Sequence, residues 1–200
     1  MSGHNKGVFI ARDGVLIPKQ PQRKTVVSSE LVPGSVEGIS RIRALGFTVF
    51  IVTNDEDVCH GTIKEIELED LHGHLVCAIS ELDSNAFIDG VFYCVHHPEA
   101  KLQEYRKKCD CRLPKPGLLE KAAGDFSVDL SRSFMIGDHE SLVITGHLAG
   151  GQSILIKSPG NNDLDLGPID SSLPYDPKVA EPDMTFNNLT EAADWLANKD

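Results

Sequence analysis

The chain has 200 residues and a mass of 21.8 kDa, a length that can bury roughly 70 % of its unfolded surface and predicts one domain over residues 1–200. Hydrophobic residues at 40 % and charged residues at 24 % exclude a disordered or collagenous chain. With 30 Asp and Glu against 19 Lys and Arg, the formal charge of -11 has the wrong sign for gripping phosphate backbones or anionic membranes, so neither nucleic acid nor membrane is an expected partner.

The start, MSGHNKGVFIARDG, lacks the apolar core of a secretory signal, and the expected location is the cytoplasm. No stretch approaches the roughly 20 apolar residues of a membrane helix. Residues 8–11 read as a buried strand that delivers Arg12-Asp13-Gly14 at its carboxyl end. Pro33-Gly34-Ser35 precedes a helix with Val36, Ile39, Ile42 and Leu45 on one face; Gly46 stops it, and residues 47–52 form the second strand. From Thr62, helical spacing of Ile63, Ile66, Leu71, Leu75 and Ile79 predicts a second helix, followed by a strand over 88–93. Helix 118–123, strand 133–136 ending at Gly137-Asp138, helix 142–148 and strand 153–156 continue the alternation. A last helix follows Asn188, with Thr190 as its expected N-cap. Alternating strands and helices predict an α/β fold, a mostly parallel sheet with helices on both faces, because parallel strands need crossover connections. Residues 157–183, rich in Pro, Asp and Gly, are expected to be a long acidic loop.

Five cysteines are an odd number. Cys59 and Cys77 are expected to be buried thiols. The other three flank a histidine pair: Cys94-x-His96, a twelve-residue spacer, then Cys109-x-Cys111. Three thiolates and an imidazole complete a tetrahedral Zn²⁺ shell, with His97 as the alternative to His96, and a shell with no place for water is structural rather than catalytic. Zinc is therefore the expected cofactor, stapling a loop over 93–112.

The residues Ala11-Arg12-Asp13-Gly14, Pro33-Gly34, Val52-Thr53-Asn54, Ile88-Asp89-Gly90-Val91, the zinc loop with Arg112-Leu113-Pro114-Lys115-Pro116-Gly117, and Met135-Ile136-Gly137-Asp138 resemble haloacid dehalogenase (HAD) superfamily phosphatases. Within that superfamily the resemblance is to the heptose-bisphosphate and histidinol-phosphate phosphatases. It implies a Rossmann-like HAD fold in which the zinc loop takes the place of a large cap. It also implies an Asp nucleophile, a second Asp as general acid and base, Mg²⁺ between carboxylates, and a Thr and a Lys cradling the phosphate. Carried over, Asp13 is the general acid and base, Thr53 and Asn54 lie in the phosphate loop, and Asp13 and Asp138 are the residual magnesium ligands.

The nucleophile position is Ala11. Leu113 stands where the family places its Lys, with Arg112 and Lys115 the nearest phosphate contacts, and Leu142 stands where a further acid is usual. Ala11 and Leu142 take two carboxylates from the site magnesium ordinarily draws on, so magnesium is expected to bind weakly or not at all, while Asp55, Glu56 and Asp57 bring three carboxylates toward the expected phosphate and oppose its binding by repulsion. The expectation is a catalytically impaired pseudoenzyme acting as a binding or interaction module, with a sugar phosphate or a protein as partner. The alternative is an active Mg²⁺-dependent sugar-phosphate phosphatase.

Overall fold

The computed structural model describes residues 5–20, 23–157 and 176–199. Its centre is a six-stranded sheet in the order β3-β2-β1-β4-β5-β6, with every pairing parallel. The strands are β1 Gly7–Ala11, β2 Thr48–Asn54, β3 Gly90–Cys94, β4 Phe134–Gly137, β5 Gln152–Ile156 and β6 Met184–Phe186. Runs such as GVFIA and TVFIVTN are apolar on both faces, as strands covered above and below must be. Among the described residues six α-helices connect or follow the strands: α1 Ser35–Ala44, α2 Glu56–Cys59, α3 Glu65–Leu82, α4 Gly117–Phe126, α5 Glu140–Leu148 and α6 Leu189–Ala197.

The chain leaves β1 toward β2 and β3, then crosses back to β4, β5 and β6 on the other side. Right-handed crossovers in opposite directions place helices on opposite faces. The carboxyl end of β1 lies where the direction reverses, the place where open α/β sheets bind ligands. Phe50 ties the layers together, stacking on Phe9 at 5.1 Å and meeting Phe126 of α4 edge-on at 5.0 Å. On the other face α6 packs along α1, and Trp195 meets Phe134 edge-on at 6.1 Å.

Several expectations need correction. The short strand β6 lay unread after the acidic segment; its partly exposed residues give no alternation to detect. Asn188, not Thr190, caps α6, its side chain accepting from the Glu191 N–H at 2.9 Å, while the Thr190 hydroxyl donates to the Gly34 carbonyl at 3.0 Å. The helix expected from Thr62 begins at Glu65, and Ile66 points outward at 58 % exposure. Cys59 is buried as expected, but Cys77 is exposed. Of the expected loop 157–183, residues 158–175 lie outside the described residues. Residues 176–183 contain a short 3-10 turn, Pro177–Ala180, where His147 of α5 meets the Val179 carbonyl at 2.8 Å and Asp183 at 2.9 Å. No described helix is long and apolar enough to cross a membrane.

Candidate functional site

Ala11 closes β1 opposite Val52 of β2, and its methyl is buried in the floor of the sheet's carboxyl edge. Arg12 follows and is itself buried. Its guanidinium has five N–H donors, and each has a partner. Nε and Nη2 reach Asp13 Oδ2 at 3.0 and 2.7 Å, Nη2 and Nη1 fork onto Asp55 Oδ1 and Oδ2 at 3.1 and 2.8 Å, and Nη1 also meets His72 Nε2 at 3.0 Å. Burial works against the charged guanidinium, but Asp13 and Asp55 outweigh it and hold Arg12 above its ordinary value. Burial pushes the Asp55 carboxyl up, opposed by Arg12. His72, on the buried face of α3, is driven down to about 3 by burial and by Arg12, so its neutral ring offers Nε2 as an acceptor.

Asp138 follows β4 and lies against the loop after β1. A Cβ at Gly14, whose φ is +79, would stand 2.0 Å from Asp138 Oδ2, so only glycine allows this approach. Burial raises Asp138, with His139 and Lys19 pulling it down and Asp13 pushing it up. Ala11 offers no carboxylate, and Asp13 already holds Arg12. Among the described residues the only group of three or more metal-ligating side chains within mutual reach is elsewhere. Asp13 and Asp138 are the carboxylates this mouth offers a cation, one fewer than an acid at position 11 would give.

The remaining expected contacts are largely engaged. Thr53 turns its hydroxyl to the Asn54 carbonyl at 3.3 Å. Asn54 clamps the backbone of Leu113, donating to its carbonyl at 3.2 Å and accepting from its N–H at 3.1 Å. Arg112 pairs with Glu56 and donates to the His96 carbonyl at 3.2 Å. Lys115 reaches the Cys109 carbonyl at 2.9 Å and Asp110 at 3.3 Å. The three carboxylates expected to repel phosphate are likewise distributed: Asp55 onto Arg12, Glu56 onto Arg112, and Asp57 onto the Thr62 hydroxyl at 2.9 Å. Charge repulsion at the mouth is weaker than composition implied.

The second cluster is the Cys/His loop. The donor atoms of Cys94, His96, Cys109 and Cys111 all lie within 4.8 Å of one another. Cys94 Sγ is 3.0 Å from Cys111 Sγ and 3.6 Å from Cys109 Sγ, and His96 Nδ1 is 3.2 Å from Cys111 Sγ. Cys94 ends β3, which fixes one pair, and the turn before α4 supplies the other. Gly117, first in α4, packs so closely that a Cβ there would stand 2.3 Å from the Asp110 carbonyl oxygen. His97 stays outside the cluster, its Nδ1 accepting from the Glu99 N–H at 3.0 Å. Three sulfurs and one ring nitrogen with no carboxylate among them are a donor set for a metal such as zinc.

A HAD-hydrolase-like family model matches residues 110–192. The D-glycero-beta-D-manno-heptose-1,7-bisphosphate 7-phosphatase of Pasteurella multocida is 32 % identical over 141 residues, covering 70 % of this chain and 75 % of that protein. The enzyme of the same name from Escherichia coli K12 is 30 % identical over 131 residues, covering 66 % of this chain and 68 % of its own. The chain belongs to the HAD superfamily. It is closely related to its heptose-bisphosphate phosphatases. The D,D-heptose 1,7-bisphosphate phosphatase from B. bronchiseptica, solved with magnesium and phosphate, superposes with a TM-score of 0.76 at 23 % identity, over 98 % of this chain and 99 % of that one. The chain combines that fold with the Cys/His cluster. What the sequence did not reveal was the Arg12–Asp55–His72 network. Its one signal was a histidine on the apolar stripe of Leu68, Leu71, Leu75 and Ile79.

Proposed function

We propose that this chain is a heptose-bisphosphate-phosphatase-like HAD protein that has lost aspartyl-phosphate turnover and serves as a binding or interaction module in the cytoplasm. Ala11 carries the reading: a methyl group at the end of β1 can neither attack phosphorus nor ligate a cation. The Arg12 network supports it, because Asp13 Oδ2 takes two guanidinium donors rather than standing free to move a proton. Arg112 and Lys115, turned toward Glu56 and the Cys/His loop, support it further. A sugar phosphate or a protein is the partner.

Cys94, His96, Cys109 and Cys111 would hold zinc, which when bound supplies a cross-link and no chemistry. The chain's own residues reinforce that loop through the Tyr105 hydroxyl on Glu65 at 3.1 Å and the Asn54 clamp on Leu113. The stapled loop then stands in for a separate cap.

A second reading, an active Mg²⁺-dependent phosphatase, is favoured by the relatives, which carry the name of that enzyme. Asp13 would then act as acid and base after leaving Arg12, and Asp138 would hold magnesium. The test is release of inorganic phosphate from D-glycero-D-manno-heptose 1,7-bisphosphate with Mg²⁺. No release above a protein-free blank is expected; turnover that disappears in Asp13→Ala would establish the second reading.

A further inference from the structure

Charge is unevenly distributed along this acidic chain. Residues 93–115 hold six of its 19 Lys and Arg and three of its 30 Asp and Glu, so the loop is +3 and the remainder -14. Three thiolates on a zinc dication would lower the loop by one unit and leave its sign unchanged. Arg112 and Lys115 are paired, with Glu56 and Asp110. Lys101, Lys107 and Lys108 are exposed, and among the described residues none of them forms an ion pair. Leu102 lies exposed beside them at 38 %.

The loop presents these groups on a fixed frame. The His97 N–H donates to the Tyr105 carbonyl at 3.2 Å, Arg106 Nε to the Ala100 carbonyl at 2.7 Å, and the Leu102 N–H to the Cys59 carbonyl at 3.1 Å. With its backbone already fixed, the loop adds no ordering cost of its own when these lysines meet an anion. We propose that the outer face of residues 99–108 is a docking surface for an acidic segment of a partner protein, with Leu102 receiving an apolar side chain. The proposal deepens the interaction-module reading and rests on it. An extended polyanion such as nucleic acid would be repelled by the -14 remainder, whereas a short acidic segment feels mainly the loop within a Debye length of about 10 Å. The aromatic that stacking on bases would need, Tyr105, is held on Glu65.

The metal-loaded protein is titrated into a fluorescein-labelled Glu/Asp-rich 12-residue peptide carrying one central Leu. Expected are a Kd of about tens of micromolar in about 25 mM NaCl and a roughly tenfold loss at about 150 mM. Lys101→Gln/Lys107→Gln/Lys108→Gln should weaken binding at least about tenfold with zinc content and Tm unchanged. NMR shifts induced in the unmodified protein should map to 99–108, a readout that holds even where the triple variant misfolds. No binding at low salt, unaltered binding by a folded triple variant, shifts elsewhere, or equal binding of oligo-dT would overturn the surface. Phosphate release by the wild type would instead overturn the loss of turnover and leave the peptide result standing.

Discussion

Burying an arginine without partners costs several kcal/mol, and the chain meets that cost at Arg12 with two carboxylates and a neutral imidazole. His72 is the titratable weak point. Its folded form is neutral with a value near 3, whereas the unfolded ring takes a proton below 6.5. A depressed folded value means that the contribution is complete above 6.5 and is lost as pH falls through the window from 6.5 toward 3. His72→Gln keeps an acceptor for Arg12 and removes the titration. Between pH 7.5 and 4.5 the wild type should lose about 2 kcal/mol more than this variant in urea unfolding, and equal losses would show that His72 bears no part of the acid sensitivity. At this scale the sequence was legible where chemistry is local and opaque where it is paired. Ala11 is visible in the ARDG motif itself. Asp55, expected among three repelling acids, is Arg12's partner from the turn after β2, because pairing between residues so far apart in the chain has no signal in a single sequence.

Helix α6 depends on one missing side chain. A Cβ at Gly38 of α1 would stand 2.7 Å from Leu189 Cγ and 2.9 Å from the Leu189 carbonyl carbon. Gly38→Ala should therefore push α6 off the sheet face and cost about 1–3 kcal/mol, despite alanine's better helix propensity, with a lowered Tm as the readout. A Tm at or above wild type would show that α6 adjusts freely. The Cys/His loop makes the opposite case, an element held by donor atoms rather than apolar packing. Cys109→Ser should release the metal and loosen residues 93–112, seen as loss of about one zinc per chain in elemental analysis and faster amide exchange there. Both pairs of that loop were readable because each is a short local turn. Strand β6 was not: Met184–Phe186 is three residues long, too short for any period, and exists as a strand because β5 offers an edge at Ile154, Leu155 and Ile156.

At the scale of the whole molecule, the order of the strands reverses direction at the carboxyl end of β1, where Ala11 stands. Restoring the residue need not restore the site. Ala11→Asp would bring a third carboxylate toward Arg12, whose five donors are already taken by Asp13, Asp55 and His72. The obvious companion change, Leu142→Asp, is closed off by packing: Leu142 is 3 % exposed, and the space where Gly137 would carry a Cβ is filled by Leu142 atoms at 2.5 Å. A carboxylate there would be desolvated without a partner and should cost roughly 3 kcal/mol or more. The fold fills this position with apolar packing. Ala11→Asp should therefore stay near background in phosphate release from the heptose bisphosphate, and Ala11→Asp/Leu142→Asp should show a sharply lower Tm rather than added activity. Turnover of about one per second or faster by Ala11→Asp alone would mean that one lost nucleophile accounts for the whole impairment, since transition-state neutralisation worth several kcal/mol would then have survived intact.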